Sequence, residues 1–205
     1  MTDSPLIKNL FPFPGLYGLV VCGGNSSRMG TDKSMLIYHK KPQRYHLYEM
    51  LQPFCEKIFI SCNEKQVNDM EQGYDILPDL HAYTNIGPMA ALLTAFRQYP
   101  GNDLLVIGCD YPFLTSNDLY SFLPCCNGET SAAFYNENED IYEPLIAYYH
   151  RNAMKRLSDM HLKGQYSLQQ FLKNEHATKF YPGNKKSIIG VNTMEDIIGT
   201  KELMI

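Results

Sequence analysis

The sequence lacks the features that mark several large classes of protein. No apolar run approaches the roughly 20 residues that a helix needs to cross a bilayer. Asp3 and the Phe-Pro-Phe-Pro stretch at 11–14 interrupt the N-terminus, where a secretory signal would be continuously apolar. The net charge of −4 and a pI near 5.8 provide no basic field for a nucleic-acid backbone. The sequence therefore predicts a cytoplasmic protein with no membrane or nucleic-acid partner.

Metal-binding and redox motifs built on cysteine are also missing. The chain has six cysteines, but none forms a Cys-x-x-Cys pair, and no Cys/His grouping has zinc-ligand spacing. Cys22, Cys62 and Cys109 each end an apolar run. We interpret them as buried thiols that act as small apolar side chains.

The pattern of apolar residues predicts one α/β domain over residues 16–205, after an N-terminal extension at 1–15. A length of 205 residues suits a single domain with a sizeable core. Alternating strands and helices predict an α/β fold with three layers, α/β/α, around a mainly parallel sheet. Strands are predicted at 17–22, 57–62, 103–109, 131–135 and 145–149. Helices are predicted at 43–55, 88–99, 116–123, 152–162, 167–173 and 193–203.

Ligand sites in such sheets lie beyond the carboxyl ends of the strands, which directs attention to the loop after the first strand. Residues 23–33 read Gly-Gly-Asn-Ser-Ser-Arg-Met-Gly-Thr-Asp-Lys. Gly23 and Gly24 let backbone amides approach an anion closely, while Arg28 and Lys33 add two positive charges. This loop predicts a triphosphate cradle, although its spacing is neither that of a Walker A loop nor Gly-x-Gly-x-x-Gly. The alternative is an ordinary glycine-rich turn with exposed charges.

The full string, Gly-Gly-x-Ser-x-Arg-Met-Gly-x-Asp-Lys after an apolar strand, resembles the signature of the molybdenum cofactor guanylyltransferases, within the nucleotidyltransferase superfamily. The resemblance runs from about residue 16 to residue 203. It implies a Rossmann-like fold of the nucleotide-diphospho-sugar transferase type. It also implies an enzyme that transfers GMP from GTP to molybdopterin or molybdenum-molybdopterin and releases pyrophosphate. Further motifs in the family's order are Pro-Asp at 78–79, Gly-Pro-Met-Ala at 87–90, Cys-Asp-Tyr-Pro at 109–112, Glu-Pro-Leu-Ile-Ala at 143–147 and Val-Asn-Thr at 191–193.

A single carboxylate, Asp110, is the candidate metal ligand. It follows an apolar strand, from which a carboxylate can reach the cleft, and Mg²⁺ prefers oxygen ligands. The resemblance implies that Asp110 binds Mg²⁺ and that Arg28 and Lys33 are the other catalytic residues. The alternative is a turn aspartate that caps the next segment. The family usually has another residue where this chain has Tyr111.

The resemblance also implies residues that contact the two substrates. Asp79 matches a position associated with the guanine nucleotide, and a carboxylate can accept from the N1–H and the N2 amino group of guanine together. Asn192 matches a position on the pterin side, next to Gly190, where many relatives have Asn. The full implied GTP-binding set is Val21, Cys22, Gly23, Gly24, Lys33, Asn63, Asp79, Gly87 and Asp110.

Two other functions are compatible with parts of this sequence. One is a cytidylyltransferase of the same fold that acts on molybdopterin or on a sugar or polyol phosphate. The other is a non-catalytic nucleotide-binding protein, which the intact Arg28, Lys33 and Asp110 disfavour. The resemblance to the molybdenum cofactor guanylyltransferases also implies molybdenum-insertion proteins and molybdoenzyme chaperones as partners.

Overall fold

The described part of the chain is built on a seven-stranded sheet. The computed structural model describes residues 14–22, 32–191 and 193–203. The strand order is β3-β2-β1-β4-β6-β5-β7. The strands are β1 (Leu16–Val21), β2 (Lys57–Cys62), β3 (Ile76–Pro78), β4 (Asp103–Gly108), β5 (Ala132–Asn136), β6 (Ile141–Tyr149) and β7 (Thr178–Phe180).

The pairing of the strands confirms a mainly parallel sheet with an antiparallel element. Strand β1 pairs in parallel with β2 and β4, and β2 pairs in parallel with β3. Strand β6 is antiparallel to both β4 and β5, and β7 is parallel to β5. The two short strands, β3 and β7, were not predicted, because three residues are too few to show an apolar run or an alternation.

Helices on both faces complete the layers. All six predicted helices are present, with differences of a few residues in where they begin or end. The largest difference is in α1, which ends at Leu51, four residues before the predicted end at residue 55. Helix α3 is capped by Thr115, which exchanges hydrogen bonds with Asp118. The helices are α1 (Gln43–Leu51), α2 (Met89–Gln98), α3 (Ser116–Phe122), α4 (Ala153–Leu162), α5 (Leu168–Asn174) and α6 (Met194–Leu203).

The core lies in two apolar clusters, one on each face of the sheet. Side chains of β1 alternate between them: Leu19 and Val21 pack with α2, α4 and α5, whereas Leu16 and Val20 pack with α1 and α3. Strands β1 and β4 are buried along their whole length, which explains their nearly continuous apolar sequences. This arrangement confirms the predicted three-layer α/β/α class. In the described ranges, every helix is too short or too polar to span a membrane.

The antiparallel strand β6 determines the shape of the sheet's carboxyl edge. Ile107 of β4 lies opposite Ile146 of β6, so the first residues of β6 extend beyond the end of β4. The loops that follow β1, β2, β3 and β4 meet at this same edge because these four strands are parallel. The edge therefore has parallel strand ends on one side and the start of β6 on the other.

Candidate active site

Asp110 lies two residues beyond β4 with its carboxylate turned toward the end of that strand. Its Oδ1 is buried and has no hydrogen-bond partner among the described residues. A Cβ at Gly108 would lie 2.5 Å from this oxygen, so only glycine leaves room for the carboxylate there. Burial raises the pKa of Asp110, while a backbone amide and the positive charge of Lys33 act in the opposite direction. A buried acceptor without a donor suits a cation, because burial of such an oxygen alone is unfavourable.

Lys33 lies next to Asp110 although the two residues are far apart in the sequence. The Lys33 Nζ donates to the carbonyl oxygen of Val191 at 3.2 Å. The Val191 amide in turn donates to the carbonyl oxygen of Asp110 at 2.8 Å. The structure thus brings together two of the three predicted catalytic residues. Arg28, Gly23 and Gly24 lie outside the described residues, so their roles stay predictions.

The turn that carries Lys33 is fixed by Asp32. This turn is a short 3-10 helix, Lys33–Met35, and the Asp32 Oδ1 caps it by accepting from the Ser34 amide at 2.9 Å and the Ser34 hydroxyl at 2.8 Å. The Asp32 Oδ2 accepts from Gln66 Nε2 at 2.8 Å. One carboxylate therefore both caps the turn and ties it to the loop after β2.

A fully buried arginine, Arg44, lies near the same Asp32 carboxylate. The Arg44 side chain is 0% exposed, and its Nη1 lies 3.9 Å from the Asp32 Oδ2. Its Nη2 donates to the Asp69 carbonyl at 2.6 Å and to the Tyr45 hydroxyl at 2.9 Å. Sequence patterns gave no signal for this residue, because its burial depends on the path of the loop after β2. The arginine therefore places a buried positive charge near Asp32, beside the turn that holds Lys33, without a hydrogen bond to it.

The ends of β2 and β3 and the loops after them carry three of the predicted GTP contacts. We call this part of the site the Asp79 edge: Ser61 of β2, and Asn63, Asp79 and Gly87 in the loops that follow. The Asp79 amide donates to the Cys62 carbonyl at 2.9 Å, and its Oδ1 accepts from the Ser61 hydroxyl at 3.1 Å. Burial raises the pKa of Asp79 to about 6, and the Ser61 hydrogen bond opposes that rise. The carboxylate is therefore mostly ionised at neutral pH, as an acceptor for guanine requires.

The other two residues of the Asp79 edge have structural roles as well. The Asn63 Oδ1 accepts from the Lys65 and Gln66 amides and caps the 3-10 helix Glu64–Asp69. Gly87 has a φ of +63°, a conformation that explains glycine there without any ligand. The predicted GTP contacts of both residues remain predictions.

Val21 and Cys22 have backbone groups that already take part in the sheet. The Val21 carbonyl accepts from the Cys109 amide at 3.2 Å, and the Cys22 amide donates to the Ser61 carbonyl at 3.1 Å. Val21 is buried and Cys22 is half-buried against the core, as predicted for their side chains. The predicted contact of their backbone with a base stays a prediction.

On the other side of Asp110 lies a cavity of about 690 Å³, which we call the Lys185 cavity. Its walls come from the start of β6, the turn between β5 and β6, and the segment 181–190. The polar residues at 136–139 contribute to one wall. Side chains that line the cavity include Tyr111, Tyr135, Glu143, Tyr181, Lys185 and Lys186.

The segment after Asp110 is held against β6 by a buried hydrogen bond. The Tyr111 hydroxyl donates to the Glu143 Oε2 at 2.8 Å, and both side chains are buried. Tyr38 also lies near the site: burial, with the nearby charges of Asp110 and Asp196, raises its pKa to about 12. Tyr38 was not predicted to belong to the site. Tyr111 and Glu143 stood within family motifs, without a predicted role, and Tyr111 was a departure from the family pattern.

The donor set fits a magnesium ion that takes most of its ligands from substrate. Across the residues that the structure describes, no three His, Cys, Asp or Glu side chains are grouped to hold a metal ion. One carboxylate with a free oxygen, in a cleft wide enough for phosphates, matches the usual preference of Mg²⁺ for few protein ligands. Asp110 is the residue that would hold it.

A mainly parallel sheet with a lysine and a carboxylate at its carboxyl edge, between a polar edge and a cavity, is the architecture of a nucleotidyltransferase. Residues 18–179 match a family model described as the MobA-like NTP transferase domain. This match covers most of the sequence, and the chain belongs to the MobA-like NTP transferase family.

Individual relatives agree with this assignment. A protein from Synechocystis sp. (strain ATCC 27184 / PCC 6803 / Kazusa), named molybdenum cofactor biosynthesis bifunctional protein, is 30% identical over 185 residues. That match covers 88% of this chain and 52% of the relative, so the chain spans about half the relative's length. A molybdenum cofactor guanylyltransferase from Yersinia pseudotuberculosis is 28% identical over 186 residues, which cover 89% of this chain and 93% of the relative.

A solved structure supports the fold. Molybdopterin-guanine dinucleotide biosynthesis protein A from Archaeoglobus fulgidus has a TM-score of 0.73 to this chain, at 22% identity. The superposition covers 91% of this chain and 97% of that one. The likeness in fold therefore extends over nearly the whole chain.

Proposed function

We propose that this protein transfers GMP from GTP to molybdopterin or molybdenum-molybdopterin, with release of pyrophosphate and with Mg²⁺ as the cofactor. The observation that carries the proposal is the contact chain from Lys33 through Val191 to Asp110, between the Asp79 edge and the Lys185 cavity. The names of the Synechocystis and Yersinia relatives support the choice of substrates.

In this proposal, the nucleotide lies over β3, β2 and β1. The Asp79 carboxylate accepts hydrogen bonds from the guanine N1–H and N2 amino group. Gly23, Gly24 and Arg28 hold the phosphates from the loop after β1, with Asn63, Gly87 and the backbone of Val21 and Cys22 along the base and ribose. Lys33 balances charge on the phosphates, since its ammonium group is held in place by the Val191 carbonyl.

The acceptor lies in the Lys185 cavity, and its terminal phosphate points toward Asp110. Lys185 and Lys186 would pair with the anionic groups of the acceptor, on a wall that also carries the carboxylates of Glu137, Glu139 and Glu143. Asn192, directly after Val191, contacts the pterin in this proposal, and Gly190 leaves space in the wall where many relatives have a side chain. The proposal also includes a cytoplasmic location. It further includes transfer of the product with the help of molybdenum-insertion proteins and molybdoenzyme chaperones.

The reaction needs positioning and charge neutralisation more than proton transfer. An oxygen of the acceptor phosphate attacks the α-phosphorus of GTP, and the bond from that phosphorus to the bridging oxygen breaks as pyrophosphate leaves with the electron pair. The nucleophile is already an anion, so no strong general base is required. Mg²⁺ held by Asp110 supplies charge neutralisation to the phosphate oxygens when bound. The residues of the site align the two phosphates and exclude other geometries.

A pyrophosphate-release assay with GTP, Mg²⁺ and molybdopterin tests the proposal. We expect release only when all three are present. Lys33→Ala and Asp110→Asn should each lower turnover on the order of 100-fold, because each removes a charge contact with the reacting phosphates. Lys155→Ala removes an exposed lysine of α4 and should retain wild-type turnover. Wild-type turnover in Lys33→Ala or Asp110→Asn would remove that residue from the mechanism.

A further inference from the structure

Two thiols face each other at the carboxyl edge of the sheet. Cys22 directly follows β1, Cys109 directly follows β4, and their Sγ atoms are 3.3 Å apart. The register explains this contact. Val21 lies opposite Gly108 in the parallel pair β1 and β4, so the next residue on each strand occupies a matching position. Both side chains contact the same apolar cluster, on the side of α1 and α3.

The backbone holds these two cysteines at a separation that suits a disulfide. The Cys22 amide is bonded to the Ser61 carbonyl and the Cys109 amide to the Val21 carbonyl, so both positions belong to the sheet's hydrogen-bond ladder. Neighbouring strands lie about 4.8 Å apart, within the range of about 4.4–6.8 Å between the Cα atoms of disulfides. Joining the sulfurs therefore requires a small local movement and no change of fold.

The two thiols differ in access to solvent. Cys22 is half-buried, whereas Cys109, beside it on the neighbouring strand, is only 6% exposed. A small oxidant can therefore reach the Cys22 sulfur first, with Cys109 positioned to react second. A metal site is the alternative use of such a pair, but in the described ranges no third Cys, His, Asp or Glu completes one.

We propose that Cys22 and Cys109 form an intramolecular disulfide when the protein meets a hydroperoxide, and that this modification reversibly blocks nucleotide binding. The Cys22 sulfur attacks one peroxide oxygen, the O–O bond breaks, and a sulfenic acid and one water form. The Cys109 sulfur then attacks the sulfenic sulfur, the S–S bond forms, and a second water leaves. Two thiols are oxidised and one hydrogen peroxide is reduced to two waters; a dithiol reductant reverses the change.

The blocking effect follows from what adjoins each cysteine, and this half of the proposal rests on the proposed function. Cys22 leads into the phosphate loop at 23–33, and Cys109 precedes Asp110. Closing the sulfur separation from 3.3 Å to about 2.05 Å moves the two side chains at the ends of β1 and β4 toward each other by about 1 Å in total, beside Asp110. Displacements near 1 Å in a catalytic site can lower rates on the order of 100-fold. The disulfide therefore disturbs the phosphate loop and the candidate metal carboxylate together.

The experiment treats the full-length reduced protein with hydrogen peroxide and follows three readouts. Non-reducing peptide mapping should find a Cys22–Cys109 linked peptide, and the intact mass should fall by two hydrogen atoms. The thermal shift produced by GTP and Mg²⁺ should disappear and return after dithiothreitol. Pyrophosphate release should fall at least tenfold on the same samples, as a site displaced near 1 Å predicts.

Variants separate this pair from the other thiols. Cys109→Ala should keep its response to GTP after peroxide, with Cys109→Ser as the replacement if the alanine variant does not fold. Cys125→Ala changes a half-buried cysteine outside the site. After peroxide, this variant should lose its thermal shift with GTP as the wild type does. The absence of a Cys22–Cys109 peptide, or its formation with an unchanged GTP shift, would overturn the proposal. Failure of the proposed function is distinguishable, because the reduced protein would then show no GTP response while peptide mapping still tests the disulfide.

Discussion

Asp79 and Asp110 are two carboxylates that the fold places at one edge of the sheet for different tasks. Asp79 accepts a hydrogen bond from Ser61, whereas the Asp110 Oδ1 has no partner within the described part of the chain. Burial raises the pKa of each. We infer that the first is arranged to meet hydrogen-bond donors of a base, and the second to meet a cation.

Nucleotide affinity should depend on the ionisation of Asp79. Because the pKa of Asp79 is about 6, protonation below that pH removes the charged acceptor, and GTP should bind more weakly. Asp79→Asn should weaken binding by roughly 10- to 100-fold at about pH 7.5, the value of a hydrogen bond to a charged group. Titration calorimetry from about pH 5 to 8 should show that the difference in GTP affinity between the wild type and Asp79→Asn disappears as the pH falls through 6. Equal affinities of the two proteins at all pH values would contradict the role of Asp79.

The same residue should make the free protein slightly less stable at neutral pH. The folded pKa of about 6 is above the ordinary value of 3.8, so the fold favours the neutral acid. The stability from Asp79 is thus fully present below that ordinary value and is lost as pH rises through 6. Asp79→Asn should therefore raise the midpoint of thermal unfolding at about pH 7.5 but not at about pH 4. A lower midpoint at neutral pH would show that the carboxylate is stabilising.

Gly108 has no side chain because the Asp110 carboxylate occupies the space. A Cβ at this position would lie 2.5 Å from Asp110 Oδ1 and 3.0 Å from the Leu145 Cβ. Gly108→Ala should cost about 1–3 kcal/mol of stability through overpacking, and activity should fall further as Asp110 moves. Gly199→Ala, in α6, meets nothing within 4 Å, and it should leave activity unchanged and raise stability by up to about 1 kcal/mol, because alanine favours a helix more than glycine does. Denaturant unfolding with pyrophosphate release measures both effects, and a Gly108→Ala enzyme of normal activity would contradict the packing argument.

At the scale of elements, the short turn Lys33–Met35 depends on its cap. The cap comes from Asp32, which accepts a hydrogen bond from Gln66 and lies near the positive charge of Arg44, both outside the turn. Helix caps of this kind typically contribute about 1 kcal/mol, so the turn cannot hold Lys33 rigidly without one. The element that positions the lysine is therefore built from three separate parts of the chain.

Asp32→Ala should lower activity by loosening this turn rather than by removing a catalytic group. We expect about 1 kcal/mol lower stability and turnover on the order of tenfold lower, with a raised KM for GTP. Asp32→Asn keeps an oxygen that can accept from the Ser34 amide and should lose less of both. Steady-state kinetics of the two variants decide the matter: equal losses would show that the charge, and not the cap, is what matters.

Elements also differ in how well the sequence predicts them. Apolar runs identified β1, β2 and β4, because these strands are buried on both faces. The short strands β3 and β7 gave no pattern, since their place depends on pairing with distant neighbours. Helix α6 begins one residue after the predicted residue 193, and Thr193 and Asp196 exchange hydrogen bonds at that end.

At the scale of the whole molecule, the sheet order places Asp110 between the two regions that we propose for the two substrates. The Asp79 edge follows β2 and β3, while the Lys185 cavity lies by β5 and β6. The antiparallel start of β6 extends past the end of β4 and, with Asp110, lines that cavity. A transferase needs such a layout, because donor and acceptor phosphates must meet at one point.

The site was predictable where it follows strand ends and unpredictable where it depends on tertiary contacts. The positions of Lys33, Asp79 and Asp110 followed from the loop motifs and the parallel sheet. Val191 and Glu143 were noted only as parts of family motifs, without a role, because the role of Val191 uses backbone groups and that of Glu143 depends on a tertiary contact. Arg44 was missed, because the burial of a polar side chain follows from packing between distant segments.

Nucleotide choice is a property of the whole site and separates the guanylyl from the cytidylyl hypothesis. With Mg²⁺ present, GTP should raise the thermal midpoint more than CTP, UTP or ATP, because a ligand stabilises in proportion to its affinity for the folded state. A concentration of about 100 times Kd should add about 2.7 kcal/mol of stability. A larger shift with CTP would support a cytidylyltransferase.

The account depends on one arrangement: phosphates of the nucleotide held between Lys33 and a divalent ion on Asp110. A crystal structure of the protein with GTP and Mn²⁺, located by its anomalous signal, tests this directly. The account predicts Mn²⁺ bound to the Asp110 carboxylate and to phosphate oxygens, with Lys33 Nζ at hydrogen-bond distance from a phosphate. A GTP molecule bound elsewhere, or a metal ion held without Asp110, would contradict it.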